Sequence, residues 1–327
     1  MGPMPPDARR IGAHLPLGLG MARAVERAHA IGANAIQVFA DNPTAWRRRT
    51  DPPRELPAFQ ARLDELGIAP VAIHASYLVN LAGPEEEFYS RSVGVLASDL
   101  RAAPGFRARF VNVHVGSHRG SGTATGTQRL AEGLRLVLAE VDGGPNAPMV
   151  VLENSAGGGF GLGVDVAELA AIADAATALG IPDERLGFCI DTAHAWGAGI
   201  DLAHPDGSDA FLDEFEARIG LRRLAMIHLN DSKSERGSRL DRHEHVGAGR
   251  IGAVGLAHLL RHPRLAHVAY YLETPGMDEG YDAINMARVR DLLAGRPLAE
   301  LPPEAMALRG SRARTAPADD AAEVPEG

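Results

Sequence analysis

The sequence predicts a single closed (β/α)8 barrel of parallel strands, a TIM barrel with its site at the carboxyl ends of the strands. Three observations carry this. Apolar, β-rich runs alternate with longer stretches of helical periodicity along the 327 residues, there are eight of each, and the strand runs are too apolar to leave one face in water. A doubly wound open sheet gives a similar alternation, and the count of eight is what favours closure.

Ile11–His14 reads as the first strand and Met21–Ile31 as the first helix, closed by Gly32. Ala35–Phe39 and Glu55–Leu66 follow, with Gly67 at the helix end, then Val71–His74 and Glu85–Ala102. Phe110–His114 pairs with a helix over Gln128–Val141, and Met149–Glu153 with one over Val166–Leu179 and its closing Gly180. Leu186–Asp191 is followed by Asp209–Ile219 and Gly220, Leu224–His228 by Val254–Arg261, and Val268–Glu273 by Ala283–Leu293. No linker interrupts residues 11–300, so the barrel is one domain. Residues 1–10 and the acidic tail 301–327 read as disordered.

Composition narrows the function classes. Hydrophobic residues make up 45% and charged residues 23%, an ordinary globular balance. No apolar run reaches the roughly 18 residues of a membrane span, and the terminal MGPMPPDARR lacks the apolar core of a secretory signal. Cys189 is the single cysteine, which excludes an internal disulfide and fits a reducing cytoplasm. The net charge of −9 speaks at first against nucleic acid. Residues 315–327, however, hold four of the acids (Asp319, Asp320, Glu323, Glu326) and no bases, and bound divalent cations would bring the body close to neutral. Location of charge, not its sum, decides the partner. No exposed apolar helix face demands a second copy, and a monomer is expected.

The unusual feature is the last residue of the strands. The third ends in His74, the fourth in His114, the fifth in Glu153, the sixth in Asp191 with His194 three residues on, the seventh in His228, and the eighth in Glu273. Asp241 and His243 follow the seventh strand across a polar connector. A lone histidine at a strand end is usually a satisfied structural residue. Six consecutive strands ending in His, Asp or Glu do not fit that reading, because a barrel gathers all these ends on one face. Clustered buried carboxylates cost several kcal/mol each unless cations accompany them. Five imidazoles and four carboxylates suit Zn²⁺, Mn²⁺ or Fe²⁺ better than Mg²⁺ or Ca²⁺. Nine ligands are too many for one ion and suit three if one carboxylate bridges, which points to metal-assisted hydrolysis of a phosphate ester.

The same residues carry a family resemblance. IGAH (11–14), HASYLVNL (74–81), NVHVGSH (112–118), LENSAG (152–157), CIDTAH (189–194), HLNDSK (228–233), GSRLDRH (237–243) and LET (272–274) resemble endonuclease IV, in the family's order, from about residue 11 to 295. The resemblance implies a trinuclear-zinc apurinic/apyrimidinic endonuclease of DNA base-excision repair. It implies that His74, His114 and Glu153 hold one zinc; that Glu153 bridges to a second, completed by Asp191, His228 and Glu273; and that His194, Asp241 and His243 hold the third. Glu153 and Glu273 are the catalytic carboxylates of this scheme. The implied reaction is attack of a metal-bound hydroxide on the phosphate 5′ to an abasic site, leaving a 3′-hydroxyl and a 5′-deoxyribose phosphate, with trimming of blocked 3′ ends. The implied partner is double-stranded DNA, met at the nucleoid.

For DNA contacts, Tyr77 and Leu78 match the positions that enter the duplex at the lesion, where an abasic site has least stacking to lose; the bland reading packs Tyr77 under its loop. Asn42 and Trp46 in the loop after the second strand keep the family pattern, whereas Thr44 stands where some members place an intercalating Arg. Arg47–Arg49 next door read as phosphate-binding or merely solvated. Lys233, Arg239 and Arg242 lie beside the ligands and read as contacts to backbone phosphates, with Arg242, between two ligands, reading equally as a residue that orients them. The glycine run 157–161 lacks a following lysine and is a flexible loop, Cys189 is a small core residue, and His118 and His245 flank the ligands as orienting or exposed residues. The rival reading is a sugar isomerase of the xylose-isomerase-like barrels, which needs fewer ligands; a non-catalytic binding barrel does not require all nine.

Overall fold

The computed structural model describes residues 9–141, 143–144 and 147–307. Eight parallel strands form a closed barrel in the order β1 (Arg10–His14), β10 (Ala269–Leu272), β7 (Leu224–His228), β6 (Leu186–Asp191), β5 (Met149–Glu153), β4 (Ala108–His114), β3 (Val71–His74) and β2 (Ala35–Val38). The outer layer comprises α1 (Met21–Ala30), α2 (Leu56–Leu66), α3 (Glu86–Ala102), α4 (Thr123–Ala139), α5 (Val166–Ala178), α7 (Pro205–Arg218), α8 (Gly252–Arg261) and α9 (Tyr281–Ala294). No helix among the described residues is long and apolar enough to cross a membrane.

The barrel is held by two separate apolar clusters. The larger fills the space between strands and helices. The smaller contains Ala35, Ala72, Val151, Cys189, Met226, Ala269 and Tyr271, with Phe110 and Met149 packed on it, and fills the lumen. Side chains alternate along a strand, so two residues beyond these lumen positions come Gln37, His74, Glu153, Asp191, His228 and Glu273, with Asn112 beyond Phe110. The lumen layer towards the carboxyl ends is therefore polar, on a fully apolar layer. Register keeps it level: His74 pairs with Asn112, His114 with Glu153, Asp191 with His228, and His14 with Gln37. Cys189 lies in the lumen cluster, as the sequence indicates.

Several boundaries differ from the sequence reading. α4 begins at Thr123, five residues before Gln128, because Thr and Gly there read as loop; a Cβ on Gly126 would sit 2.7 Å from the Cβ of His118, so glycine permits this close approach. α7 begins at Pro205, where a proline in the first turn needs no N–H partner. A short helix, α6 (Thr192–Gly197), follows β6 at once, and Asp191 caps it by accepting a hydrogen bond from the His194 N–H at 2.9 Å. An antiparallel pair, β8 (Asp231–Ser232) and β9 (His243–Glu244), folds the loop after β7 back on itself. Disorder at 1–10 and 301–327 is corrected at both inner edges. The buried Arg9 guanidinium donates to the carbonyls of Leu265 and His262 at 2.6 and 2.7 Å, and α10 (Pro303–Met306) is fixed by a 3.1 Å bond from His245 Nε2 to the Ala305 carbonyl. The remainder of those two stretches, 1–8 and 308–327, lies outside the described residues.

β1 runs tightly against β2: a Cβ on Gly12 would stand 2.3 Å from the Ala35 carbonyl oxygen, a backbone atom that cannot step aside. Gly12→Ala is expected to lower stability by about 1–3 kcal/mol, as overpacked interiors do, measured as a lowered midpoint in chemical denaturation.

Candidate metal centre

The strand-end side chains converge into three overlapping groups whose candidate ligand atoms all lie within 4.8 Å of one another: His74, His114 and Glu153; Glu153, Asp191, His228 and Glu273; Asp191, His194 and His243. Glu153 is common to the first two and Asp191 to the last two. His74 Nε2 and His114 Nε2 stand 3.6 and 3.5 Å from Glu153 Oε2, and His228 Nδ1 stands 3.2 Å from Glu153 Oε1 and 3.5 Å from Glu273 Oε2. Asp241 completes the third group, 3.2 Å from His194 Nε2 and 3.1 Å from His243 Nε2. The sequence reading kept Asp191 to the second group alone; His243 Nε2 lies 3.3 Å from its Oδ2, so Asp191 is shared. The β8–β9 pairing, with Ser232 opposite His243, is what returns this loop to the barrel.

Neighbouring acceptors orient the rings. His74 Nδ1 donates to the Ala75 carbonyl (2.7 Å), His194 Nδ1 to the Asn154 carbonyl (3.0 Å), His243 Nδ1 to the Glu273 carbonyl (2.8 Å) and His228 Nε2 to Gln37 Oε1 (3.0 Å). Each ring spends its proton on that bond and turns its other nitrogen to the carboxylates. Amides hold the carboxylates in turn: Asn112 Nδ2 donates to Glu153 Oε2 at 2.6 Å, Asn230 Nδ2 to Asp191 Oδ2 at 2.7 Å, and Gln37 Nε2 to Glu273 Oε1 at 2.6 Å. His14 Nδ1 also lies 3.3 Å from Glu273 Oε1. Sequence reasoning assigned none of these four supporting residues a role. His14 was within reach, since it ends the first strand as the ligands end theirs.

The chemistry and spacing of the donor set fit metal ions. Glu153 Oε1, His228 Nδ1 and His243 Nε2 are buried without hydrogen-bond partners, although they face one another or other ligand atoms. Ligand atoms around a tetrahedral zinc at ~2.1 Å lie roughly 3.4 Å apart, the spacing seen here. Burial pushes the Glu153 carboxyl up, but the imidazoles of His228 and His114 outweigh it and hold the group well below the usual carboxylate range. Burial likewise lowers His194, and Asp191 and Asp241 more than reverse it, raising the ring to about 10.

The proposed DNA-facing residues divide. Tyr77 is 60% exposed at the mouth, its ring 5.5 Å from that of His74 and 6.4 Å from that of His114, so it does not pack under its loop. Leu78 beside it is half-buried. Asn42 and Trp46 have internal partners instead. Asn42 Oδ1 accepts from the Thr44 N–H and hydroxyl at 3.0 and 2.9 Å, and the Trp46 ring lies 6.1 Å from Phe88 beneath Arg91. Arg48 is bound to buried Asp99 at 2.5 Å, which leaves Arg47 and Arg49 as the exposed members of that run. Arg239 and Arg242 are exposed beside Asp241, and Lys233 Nζ is 3.8 Å from Glu244 Oε2. His118 caps its own loop, with Nδ1 accepting from Gly120 and Gly122, and His245 is buried, bound to Asn285 and α10, neither orienting a ligand nor exposed.

A family model described as xylose isomerase-like TIM barrel matches residues 25–295. A protein named probable endonuclease 4 from Methanoculleus marisnigri is 39% identical over 86% of this chain and 98% of its own length. The chain belongs to the endonuclease IV family. The crystal structure of endonuclease IV from Thermus thermophilus superposes with a TM-score of 0.75 at 39% identity, covering 88% of this chain and 99% of that one. A D-tagatose 3-epimerase-like protein superposes with a TM-score of 0.63 at 15% identity over 86% and 97%, which shows the shared barrel alone.

Two measurements check the centre. Gln37→Ala removes the partner of both His228 and Glu273 and is expected to weaken metal binding about 10- to 100-fold, read by competition with a chelating indicator. A cation bound to His194 must displace a proton held up to about 10, so affinity rises with pH towards that value. Loading the metal-free protein at neutral pH should therefore release protons, measured by calorimetry in buffers of different ionisation enthalpy.

Proposed function

We propose that the protein incises DNA on the 5′ side of abasic sites, leaving a 3′-hydroxyl and a 5′-deoxyribose phosphate, and trims blocked 3′ ends. Membership of the endonuclease IV family makes it a DNA-cleaving phosphodiester hydrolase. The observation supporting the finer reading is the set of three overlapping groups sharing Glu153 and Asp191, whose donor set suits three zinc ions. Bound there, the ions would supply Lewis-acid polarisation of a phosphodiester and an activated water.

The chain's own residues account for the rest. Glu153 and Glu273 lie at the floor, oriented by Asn112 and Gln37, while His114 and Asp241 are 43% and 40% exposed and form the side open to a substrate. Tyr77 stands over the first group and would fill the gap left by a missing base. Leu78 would enter beside it. Arg47, Arg49, Arg239 and Arg242 supply exposed positive charge for phosphates on either side. We assign Asn42 and Trp46 the shaping of their loop. The enzyme would act as a monomer in the cytoplasm, on nucleoid DNA. The sugar-isomerase alternative draws no support beyond the common barrel.

The test is incision of a duplex carrying one abasic site. Metal-replete protein is expected to cut it, prolonged chelation to abolish cutting, and metal analysis to find about three zinc ions per chain, the number implied by the nine ligands. No cleavage, or one or two ions, overturns the reading. Glu153→Gln should lose incision. Tyr77→Ala should lower kcat/KM roughly 10- to 100-fold, as loss of one stacking contact of ~1–3 kcal/mol does, with metal content unchanged.

A further inference from the structure

Outside the barrel mouth, a second place gathers metal-ligating side chains. Asp209 of α7 and His258 and His262 of α8 and its carboxyl cap offer ligand atoms that all lie within 4.8 Å of one another. None of the three belongs to the nine ligands at the strand ends. His258 and His262 are four residues apart, which places both rings on one helix face, with centroids 5.3 Å apart. Asp209 Oδ1 is 2.6 Å from His258 Nε2 and 3.3 Å from His262 Nε2, so a single carboxylate oxygen faces both rings. Close backbone packing sets this geometry: a Cβ on Gly255 would stand 1.9 Å from the Leu202 carbonyl oxygen, so α8 is pressed against the segment leading into α7. Both imidazoles also line a cavity of about 610 Å³ with Pro205, Ala257 and Arg261, which leaves room for water on the open side.

We propose that Asp209, His258 and His262 form a peripheral site for a zinc-like divalent cation that clamps α7 to α8. Two neutral imidazoles and one carboxylate are a borderline donor set that selects zinc over magnesium or calcium, with water completing the shell. The 3.3 Å separation between His262 and Asp209 already matches the edge of a tetrahedral zinc, roughly 3.4 Å for ligands at ~2.1 Å. The shorter His258 contact must open, and that ring, 26% exposed, has space to move. At His262 the ring proton passes to Nδ1, which gives up the long 3.3 Å bond it accepts from the Arg264 N–H. Arg264 is paired with Asp213 at 2.5 Å and Arg261 with the Leu292 carbonyl, so the nearest cations are turned away from the site. Because the ion would bind only the folded arrangement, it would stabilise the protein in proportion to its occupancy.

The test compares whole proteins with the strand-end centre loaded alike. Wild type, Asp209→Asn and His258→Gln are dialysed free of loose metal and titrated with zinc chloride against a chromophoric chelator. Wild type is expected to take up one equivalent more than either variant, and its thermal midpoint to rise with added zinc where theirs does not. Both substitutions fall at partly exposed positions, and circular dichroism unchanged from wild type before zinc is added confirms that a variant is folded. Equal uptake by wild type and folded variants overturns the site, as does uptake by wild type only at millimolar zinc. Since the readout is a difference, the number of ions in the strand-end centre cancels, and this result stands apart from the incision assay.

Discussion

The structure depends on one electrostatic constraint: carboxylates are buried together in the lumen layer just inside the barrel mouth. Glu153 and Asp191 have no solvent exposure, and Glu273 has little. Each buried anion costs several kcal/mol unless opposite charge and hydrogen bonds surround it. Protonated imidazoles are one source of that charge, and metal ions are the other. Glu153 Oε1 and His228 Nδ1 sit 3.2 Å apart, a spacing that suits an ion pair and two ligands of one ion alike. The apolar lumen layer below, closed by Tyr271 and Met226, gives the carboxylates no way to sink further from the mouth.

That constraint explains why so much of the fold was legible. Charged residues ending apolar runs are costly and conspicuous, and β3, β5, β6 and β7 begin and end where the chemistry of their last residue says they should. The supporting residues were not legible, because Gln37, Asn112 and Asn230 carry no charge and look like ordinary strand or turn residues. Their role exists only once the strands are assembled, when Gln37 of β2 reaches across the closed barrel to His228 of β7 and Glu273 beyond β10, and Asn112 of β4 meets Glu153 of β5. α6 escaped for a different reason: six residues are too few for periodicity, and its start depends on Asp191 acting as cap and candidate ligand together. The start of α4 was hidden by Thr and Gly, which favour loops locally and are overruled by packing against His118.

Loops show the same division. Tyr77 and Trp46 look alike in sequence, each an aromatic in the loop after a strand. The structure separates them, because Trp46 can reach Phe88 on α3, whereas Tyr77 has beneath it only Phe39 and the imidazoles of the site. The arginine run divides likewise, since buried Asp99 claims Arg48 and leaves its two neighbours exposed. Such competition between internal partners and solvent is a property of tertiary neighbours, so no reading of the loop by itself could have made the assignment.

The barrel alone does not distinguish a nuclease from a sugar-transforming enzyme, as the superposition on a D-tagatose 3-epimerase-like protein at 15% identity makes plain. In this chain the excursion between β7 and α8 supplies two of the candidate ligands, Asp241 and His243. Asp231 anchors it, accepting from the N–H groups of Ser232, Gly249 and Ile251 at 2.8, 3.0 and 2.9 Å, and the β8–β9 pairing folds it inward. Only then do Asp241 and His243 meet His194 from the other side of the mouth. Strand ends by themselves build the first two groups; the third needs this loop. In-line displacement at phosphorus develops charge on attacking and leaving oxygens that lie on opposite sides of the phosphorus, a separation that a spread set of cation sites would suit, whereas moving a proton along a small sugar makes no such demand.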